Sequence, residues 1–349
     1  MLSWTILEHG KPLEPVAAPT PQPTGREVLL RVVRCGVCHT DLHVHDGWYD
    51  IGGGKRFHMR ERGNMPPIVP GHEIVGEVVA SGPDAAPLAA GRRWLVYPWL
   101  GCGACATCRG GDEHLCATPR SLGIFRPGGY ADHVLVPDAK YLVDIDDLEP
   151  GLAATCACSG LTAWGALSRA APLPGEWLAI IGAGGLGLNA VGLARARGMD
   201  RVAVVEIDEA KRRAALAAGA EIALDGAAGD IAAQVRDATG GGPRAVIDFV
   251  GAAATAALGT AVLPRGGRYV ICGLFGGELT LALPFLPLRA ISVIGSFTGS
   301  LAEMKALLAV MKTGRVAPLP VDARPLAAVN DALTDLRAGR VSGRIVLAQ

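Results

Sequence analysis

The stretch Trp177-Leu178-Ala179-Ile180-Ile181-Gly182-Ala183-Gly184-Gly185-Leu186-Gly187 decides the fold of this chain. An apolar strand runs straight into glycines spaced GxGxxG at Gly182, Gly184 and Gly187, and helix-forming residues follow to Arg197. The first glycine permits a tight turn, the second lets backbone approach a pyrophosphate, and the third lets helix and strand pack closely. A helix beginning at Gly185 and Leu186 presents free N–H groups and its positive dipole end to phosphates. In a chain with 47 glycines the motif alone can be a simple turn. Here a second apolar strand, Val202–Val205, ends in Glu206, about 20 residues on, where a carboxylate accepts the ribose hydroxyls. That carboxylate would repel a 2′-phosphate, so NAD is expected ahead of NADP, although Lys211, Arg212 and Arg213 lie close by.

Further short apolar strands, Ala245–Phe249 and Tyr269–Ile271, alternate with helical stretches in the same region. That alternation means βαβ units and a parallel sheet, a doubly wound α/β domain of Rossmann type. Upstream the texture is strand-rich and irregular, with β-branched runs at Val28–Val33, Ile74–Val79 and Val134–Val136. Leu152–Ala170 has helical composition. Downstream come helices at Leu301–Thr313 and Ala327–Ala338 and a closing strand at Gly343–Leu347. At 349 residues the prior is about two domains. The expected division is a nucleotide-binding domain over 160–295 and a second domain from 1–159 and 296–349. The segment Asp50–Pro70 reads as a long loop bordering a site.

Lys plus Arg and Asp plus Glu are each 33, giving zero net charge. That argues against a nucleic-acid surface and against a polybasic membrane patch. No run of about 18 residues is free of charge, Gly or Pro, and Met1–Lys11 has no apolar signal core. The reading is a cytoplasmic protein.

Nine cysteines cannot all pair internally. Cys102-x2-Cys105-x2-Cys108-x7-Cys116 puts four thiols on one Gly-rich lobe, about 98–118, where four thiolates can close a tetrahedral zinc shell. An iron–sulfur cluster is the rival. Cys38, His72 and Cys158 (or Cys156, which spacing alone leaves open) are further candidate ligands. Two thiolates, one imidazole and an open position would make a catalytic rather than structural zinc.

Together GVCHTD (Gly36–Asp41), PGHE (Pro70–Glu73), the four-cysteine lobe, CSGLTA (Cys158–Ala163), GAGGLG (Gly182–Gly187) and Gly343-Arg344 resemble the zinc-dependent alcohol dehydrogenases of the medium-chain dehydrogenase/reductase family. Alcohol dehydrogenase is the standard example of a Cys2His catalytic zinc. The resemblance covers nearly the whole chain. It implies a GroES-like catalytic domain beside the Rossmann domain, two zinc ions, and dimers or tetramers. It implies catalytic zinc on Cys38, His72 and Cys158, with Asp41 on the other nitrogen of His72 and Glu73 behind the metal. Thr40 and His43 match the proton-relay positions, Thr162 the position that holds the nicotinamide amide, and His39 and Arg344 positions facing the pyrophosphate. Trp48, Tyr49 and Trp99 are the expected pocket aromatics.

The implied activity is reversible NAD-linked oxidation of a primary or secondary alcohol. Polyol or hydroxy-acid oxidation, aldehyde reduction, and a non-enzymatic zinc- or cofactor-binding protein are the alternatives. The long segment before PGHE and VYPW-GCG (Val96–Trp99, Gly101–Gly103) resemble a bacterial 6-hydroxyhexanoate dehydrogenase-like subgroup. Within that segment Lys55, Arg56, Arg60 and Arg62 are set against a distal carboxylate, or simply against solvent.

Overall fold

The computed structural model describes residues 1–89 and 91–349. Six parallel strands form an open sheet in the spatial order Ile222–Asp225, Val202–Glu206, Leu178–Ile181, Ala245–Asp248, Arg268–Ile271, Ser292–Gly295. Counted along the chain this is 3-2-1-4-5-6, the doubly wound arrangement. Leu178–Ile181 and Ala245–Asp248 are buried throughout, as strands covered on both faces must be. The helix Gly185–Ala196 packs Leu188, Val191 and Leu193 into this core. Strand order reverses between Leu178–Ile181 and Ala245–Asp248, so the ligand crevice opens at their carboxyl ends. There Gly182 adopts φ 91°, and a Cβ on Gly187 would sit 1.9 Å from the Gly182 carbonyl oxygen. The turn therefore needs glycine at both positions.

A second, seven-stranded sheet holds Val321–Pro325, Arg344–Ala348, Val28–Val37, Glu73–Ser81, Arg93–Val96 and Leu142–Asp144 in that order, with His133–Val136 paired to Val28–Val37. It is antiparallel except at its first pair. The final strand lies against the first long one, Val346 opposite Gly36, so the chain's end returns to the site-bearing sheet. No helix among the described residues is long and apolar enough to cross a membrane.

Three local features differ from expectation. Strands Ile222–Asp225 and Ser292–Gly295 complete the parallel sheet but carry no clear sequence signal. The segment Asp50–Pro70 is structured at its start: Trp48–Asp50 pairs with Arg56–His58 as a hairpin, followed by a short helical turn, Met59–Arg62. The helix expected over Leu152–Ala170 is interrupted. A π-helical turn at Cys156–Gly160 separates Pro150–Thr155 from Leu161–Ala170.

Candidate functional site

Cys38 ends the strand Val28–Val37 and caps the helix His39–Asp46. Its sulfur accepts the Thr40 N–H at 3.2 Å, while Asp41 returns a carboxylate to the Cys38 N–H at 2.9 Å. This capping box locks the sulfur at a helix N-terminus, where negative charge is favoured. The same Asp41 accepts the Gly71 N–H and lies 3.2 Å from His72 Nδ1, both side chains being fully buried. One carboxylate thus ties two segments together beside the imidazole, although His72 Nδ1 closes no hydrogen bond among the described residues. Cys158 arrives from the π-helical turn, a feature that often marks functional sites.

The three side chains converge. Cys38 Sγ lies 3.4 Å from His72 Nε2 and 3.9 Å from Cys158 Sγ. Four donor atoms, from Cys38, His72, Glu73 and Cys158, lie within 4.8 Å of one another. Ligands about 2.3 Å from a common tetrahedral centre are separated by roughly 3.8 Å, so the donor set fits zinc. Cys38 is held well below the ordinary thiol range, first by its hydrogen bond from Cys158 and then by His72. Glu73, expected behind the metal, brings a carboxylate oxygen to within 4.8 Å of the other donor atoms. Burial pushes its carboxyl up to about 7 against the pull of Arg344, with which it pairs. Cys156, two residues from Cys158, is buried elsewhere, its sulfur against the Leu152 carbonyl.

The second cluster gathers Cys102, Cys105, Cys108 and Cys116. Sulfur separations of 3.4 to 3.9 Å match a tetrahedral shell, and none of the nine cysteines is disulfide-bonded. Backbone N–H groups of Cys102, Cys105, Cys108 and Thr118 donate to these sulfurs. Such donors stabilise thiolate, and Cys102 is lowered to about 6, chiefly by backbone hydrogen bonds.

The glycine turn adjoins the first cluster through Arg344. A Cβ on Gly185 would meet Arg344 Cδ at 2.4 Å, and the guanidinium reaches Glu73. Glu206 Oε2 accepts the Ala183 N–H at 2.7 Å and Oε1 the Asp208 N–H at 3.0 Å, which holds the carboxylate at the turn. Of the nearby cations, Arg212 donates to the carbonyls of Glu206 and Ile207, and Arg213 pairs with Glu209. Among the described residues Lys211 makes no such pairing. His39 is exposed at the start of its helix, and Thr162 is buried in the first turn of Leu161–Ala170.

A cavity of about 250 Å³ opens beside the first cluster, and Tyr49 and Trp99 line it. The Trp99 ring stands edge-on to His72 at 5.3 Å, and its indole N–H donates to the Ala157 carbonyl. Trp48 is not in the wall, contrary to expectation. Adjacent strand residues face opposite ways, and Trp48 lies under the Arg56 guanidinium at 3.7 Å. His43 stacks against Tyr49 with ring centres 4.4 Å apart. Sequence reasoning missed the rest of the wall, among it Phe57, Phe297 and Leu274. They carry no motif and are brought together only by the fold.

Residues 24–147 match the alcohol dehydrogenase GroES-like domain and residues 185–313 the zinc-binding dehydrogenase domain. The NAD-dependent alcohol dehydrogenase of Sulfurisphaera tokodaii is 35% identical over 349 residues, 99% of each chain. The chain belongs to the zinc-type alcohol dehydrogenases of the medium-chain family. Among solved members, the alcohol dehydrogenase of Aeropyrum pernix is 30% identical, with a TM-score of 0.90 and full coverage of both chains. A cobalt- and zinc-bound alcohol dehydrogenase from Pyrobaculum aerophilum is 32% identical, with a TM-score of 0.85, covering 100% of this chain and 99% of its own.

The two clusters should behave differently. Cys38→Ser or His72→Ala should each remove about one zinc equivalent and abolish turnover while leaving the protein folded. Cys105→Ser should also remove about one equivalent but lower the melting temperature, because a closed shell contributes folding free energy. Elemental analysis with thermal melts checks this. A single zinc in fully active wild type would refute it.

Proposed function

We propose that the chain is a zinc- and NAD-dependent alcohol dehydrogenase, interconverting a primary or secondary alcohol and its aldehyde or ketone. The observation that carries the reading is the Cys38–His72–Cys158 donor set, joined through Glu73 and Arg344 to the glycine turn. When bound, zinc supplies Lewis acidity to the substrate hydroxyl, and NAD⁺ takes the hydrogen and two electrons as hydride. Thr162, the glycine turn and Glu206 orient the dinucleotide, and His39 and Arg344 face its pyrophosphate. The alcohol enters the cavity walled by Tyr49 and Trp99, whose largely apolar lining covers its carbon chain. Its hydroxyl proton leaves through Thr40 and then His43. Burial lowers the His43 pKa, so the ring stays neutral and able to accept that proton. Nine free cysteines fit a reducing compartment, the cytoplasm. The deciding experiment is a panel of alcohols and aldehydes with NAD and NADP side by side; no turnover of any of them would refute the reading.

The protein is also proposed to pair with a second copy. Ser292–Gly295 is an exposed strand at the edge of the parallel sheet, and Phe275, Leu283, Phe285 and Leu288 are exposed around it. An uncovered edge beside so much apolar surface is an aggregation hazard unless a partner covers it. The double variant Val293→Lys, Leu288→Glu should shift sedimentation toward the monomer. A monomeric wild type would exclude this pairing.

Glu206→Ser should raise NADP use relative to NAD, since like-charge repulsion of the 2′-phosphate is removed and Lys211 is free to meet it. The measured quantity is the ratio of kcat/KM for the two cofactors. Equal use of both by wild type would overturn the assigned role.

His43→Gln should slow alcohol oxidation by about 10- to 100-fold, most at lower pH. The neutral ring persists there while solvent base is scarce, so its loss costs most. Added imidazole should restore part of the rate, and zinc content should not change. A rate–pH profile identical to wild type would leave His43 outside the proton path.

A further inference from the structure

The π-helical turn Cys156–Gly160 carries Cys158 and runs directly into the helical turn that holds Thr162. A π turn is a rare backbone shape, and here side chains hold it. Ser159, fully buried, donates its hydroxyl to the Thr155 carbonyl at 3.0 Å, a bond back to residue i−4 of the kind that bends helices. The Ser159 oxygen in turn accepts from Asn189 Nδ2 at 3.0 Å. These two donations in series, amide to hydroxyl to carbonyl, fix the direction of the hydroxyl proton and strengthen each other. From another side the Trp99 indole holds the Ala157 carbonyl of the same turn.

Asn189 breaks the ordinary rules of its own helix. It lies in Gly185–Ala196, and of the eight buried residues of that helix it alone has a polar side chain. Asparagine is a poor helix former, and a buried amide costs free energy unless it is bonded. An aliphatic side chain would suit the packing better. The bond to Ser159 is, among the described residues, the one side-chain hydrogen bond between this helix and the π-helical turn. The helix begins at the glycine turn, so Asn189 stands about one helical turn behind the N-terminus that faces the dinucleotide.

We propose that Asn189 is a positioning residue. Through Ser159 it holds the π-helical turn in the shape that presents Cys158 to the metal and Thr162 to the dinucleotide. One buried hydrogen bond thereby ties the dinucleotide helix to a metal ligand. This rests on the alcohol dehydrogenase reading and deepens it.

The test follows the metal as well as turnover, in zinc-loaded enzyme and in enzyme with cobalt exchanged into the Cys38–His72–Cys158 site. Asn189→Leu removes the amide at similar volume. Ser159→Ala breaks the same bond from the other side and disturbs the core less, so it serves where the first variant folds poorly. Each should release one zinc equivalent to a chelator about ten-fold faster than wild type, shift the cobalt–thiolate absorption bands and raise KM for NAD⁺. The double variant should be no worse than the worse single one, because both changes break one bond. Leu193→Ala is the control. It empties buried space in the same helix, and should lower the melting temperature while metal release and the cobalt bands stay as in wild type. Unchanged metal release and cobalt bands in both single variants would overturn the proposal and leave Asn189 a packing residue. Additive losses in the double variant would overturn the pairing with Ser159. Wild type that binds no metal at Cys38, His72 and Cys158 would overturn the parent reading and this one with it.

Discussion

Three donor atoms from segments 34 and 120 residues apart must meet around one small volume, 3.4 to 3.9 Å from one another, and the surrounding backbone bends to that demand. Gly36 precedes Cys38 because a Cβ there would lie 1.9 Å from a Glu73 carboxylate oxygen. Gly71 precedes His72 at φ 91°, and a Cβ on it would strike the Tyr130 ring and Cys35 sulfur. Cys158 comes from a widened π-helical turn rather than from regular helix. Each ligand is thus delivered by a local departure from ideal geometry. Asp41 holds two of them together by accepting from the Cys38 and Gly71 N–H groups while lying 3.2 Å from His72 Nδ1.

The four-cysteine lobe acts on the same site from the other side. Cys116 belongs to the second cluster and also lines the cavity beside the first, with Pro119 and Ser121 following in the wall. Behind it Glu113 accepts from Tyr141, Lys140 and the Gly101 N–H, binding the lobe to the large sheet. A metal closing this lobe would thus hold a residue of the cavity wall as well as the lobe itself.

How far these features are legible in sequence depends on how local they are. The glycine turn and the Cys102–Cys116 lobe are contiguous, and their spacing alone states their chemistry. Cys38, His72 and Cys158 are scattered, so residue types alone leave Cys156 open, and only the family resemblance orders them. The strand Ser292–Gly295 escapes notice because an edge strand with one covered side lacks a buried run. The hairpin at Trp48–His58 is hidden by three consecutive glycines, Gly52 to Gly54, all at positive φ, which read as loop. Its folding decides what composition could not: which of Trp48 and Tyr49 faces the cavity.

The buried pair of Glu73 and Arg344 shows the same logic in energetic form. Both charges are almost wholly removed from water, which is costly, and an apolar pair of similar volume would often be as stable. The pair is also incompletely satisfied: Glu73 Oε2 and Arg344 Nε have no hydrogen-bond partner among the described residues. Native proteins seldom leave such groups orphaned without a reason. In the proposed enzyme each has one. Glu73 belongs to the donor cluster that would receive a cation, and Arg344 lies against the Gly185 turn that would receive a diphosphate. Each charge neutralises the other until its ligand arrives, so a contact that adds little to stability keeps the metal and dinucleotide sites in fixed register.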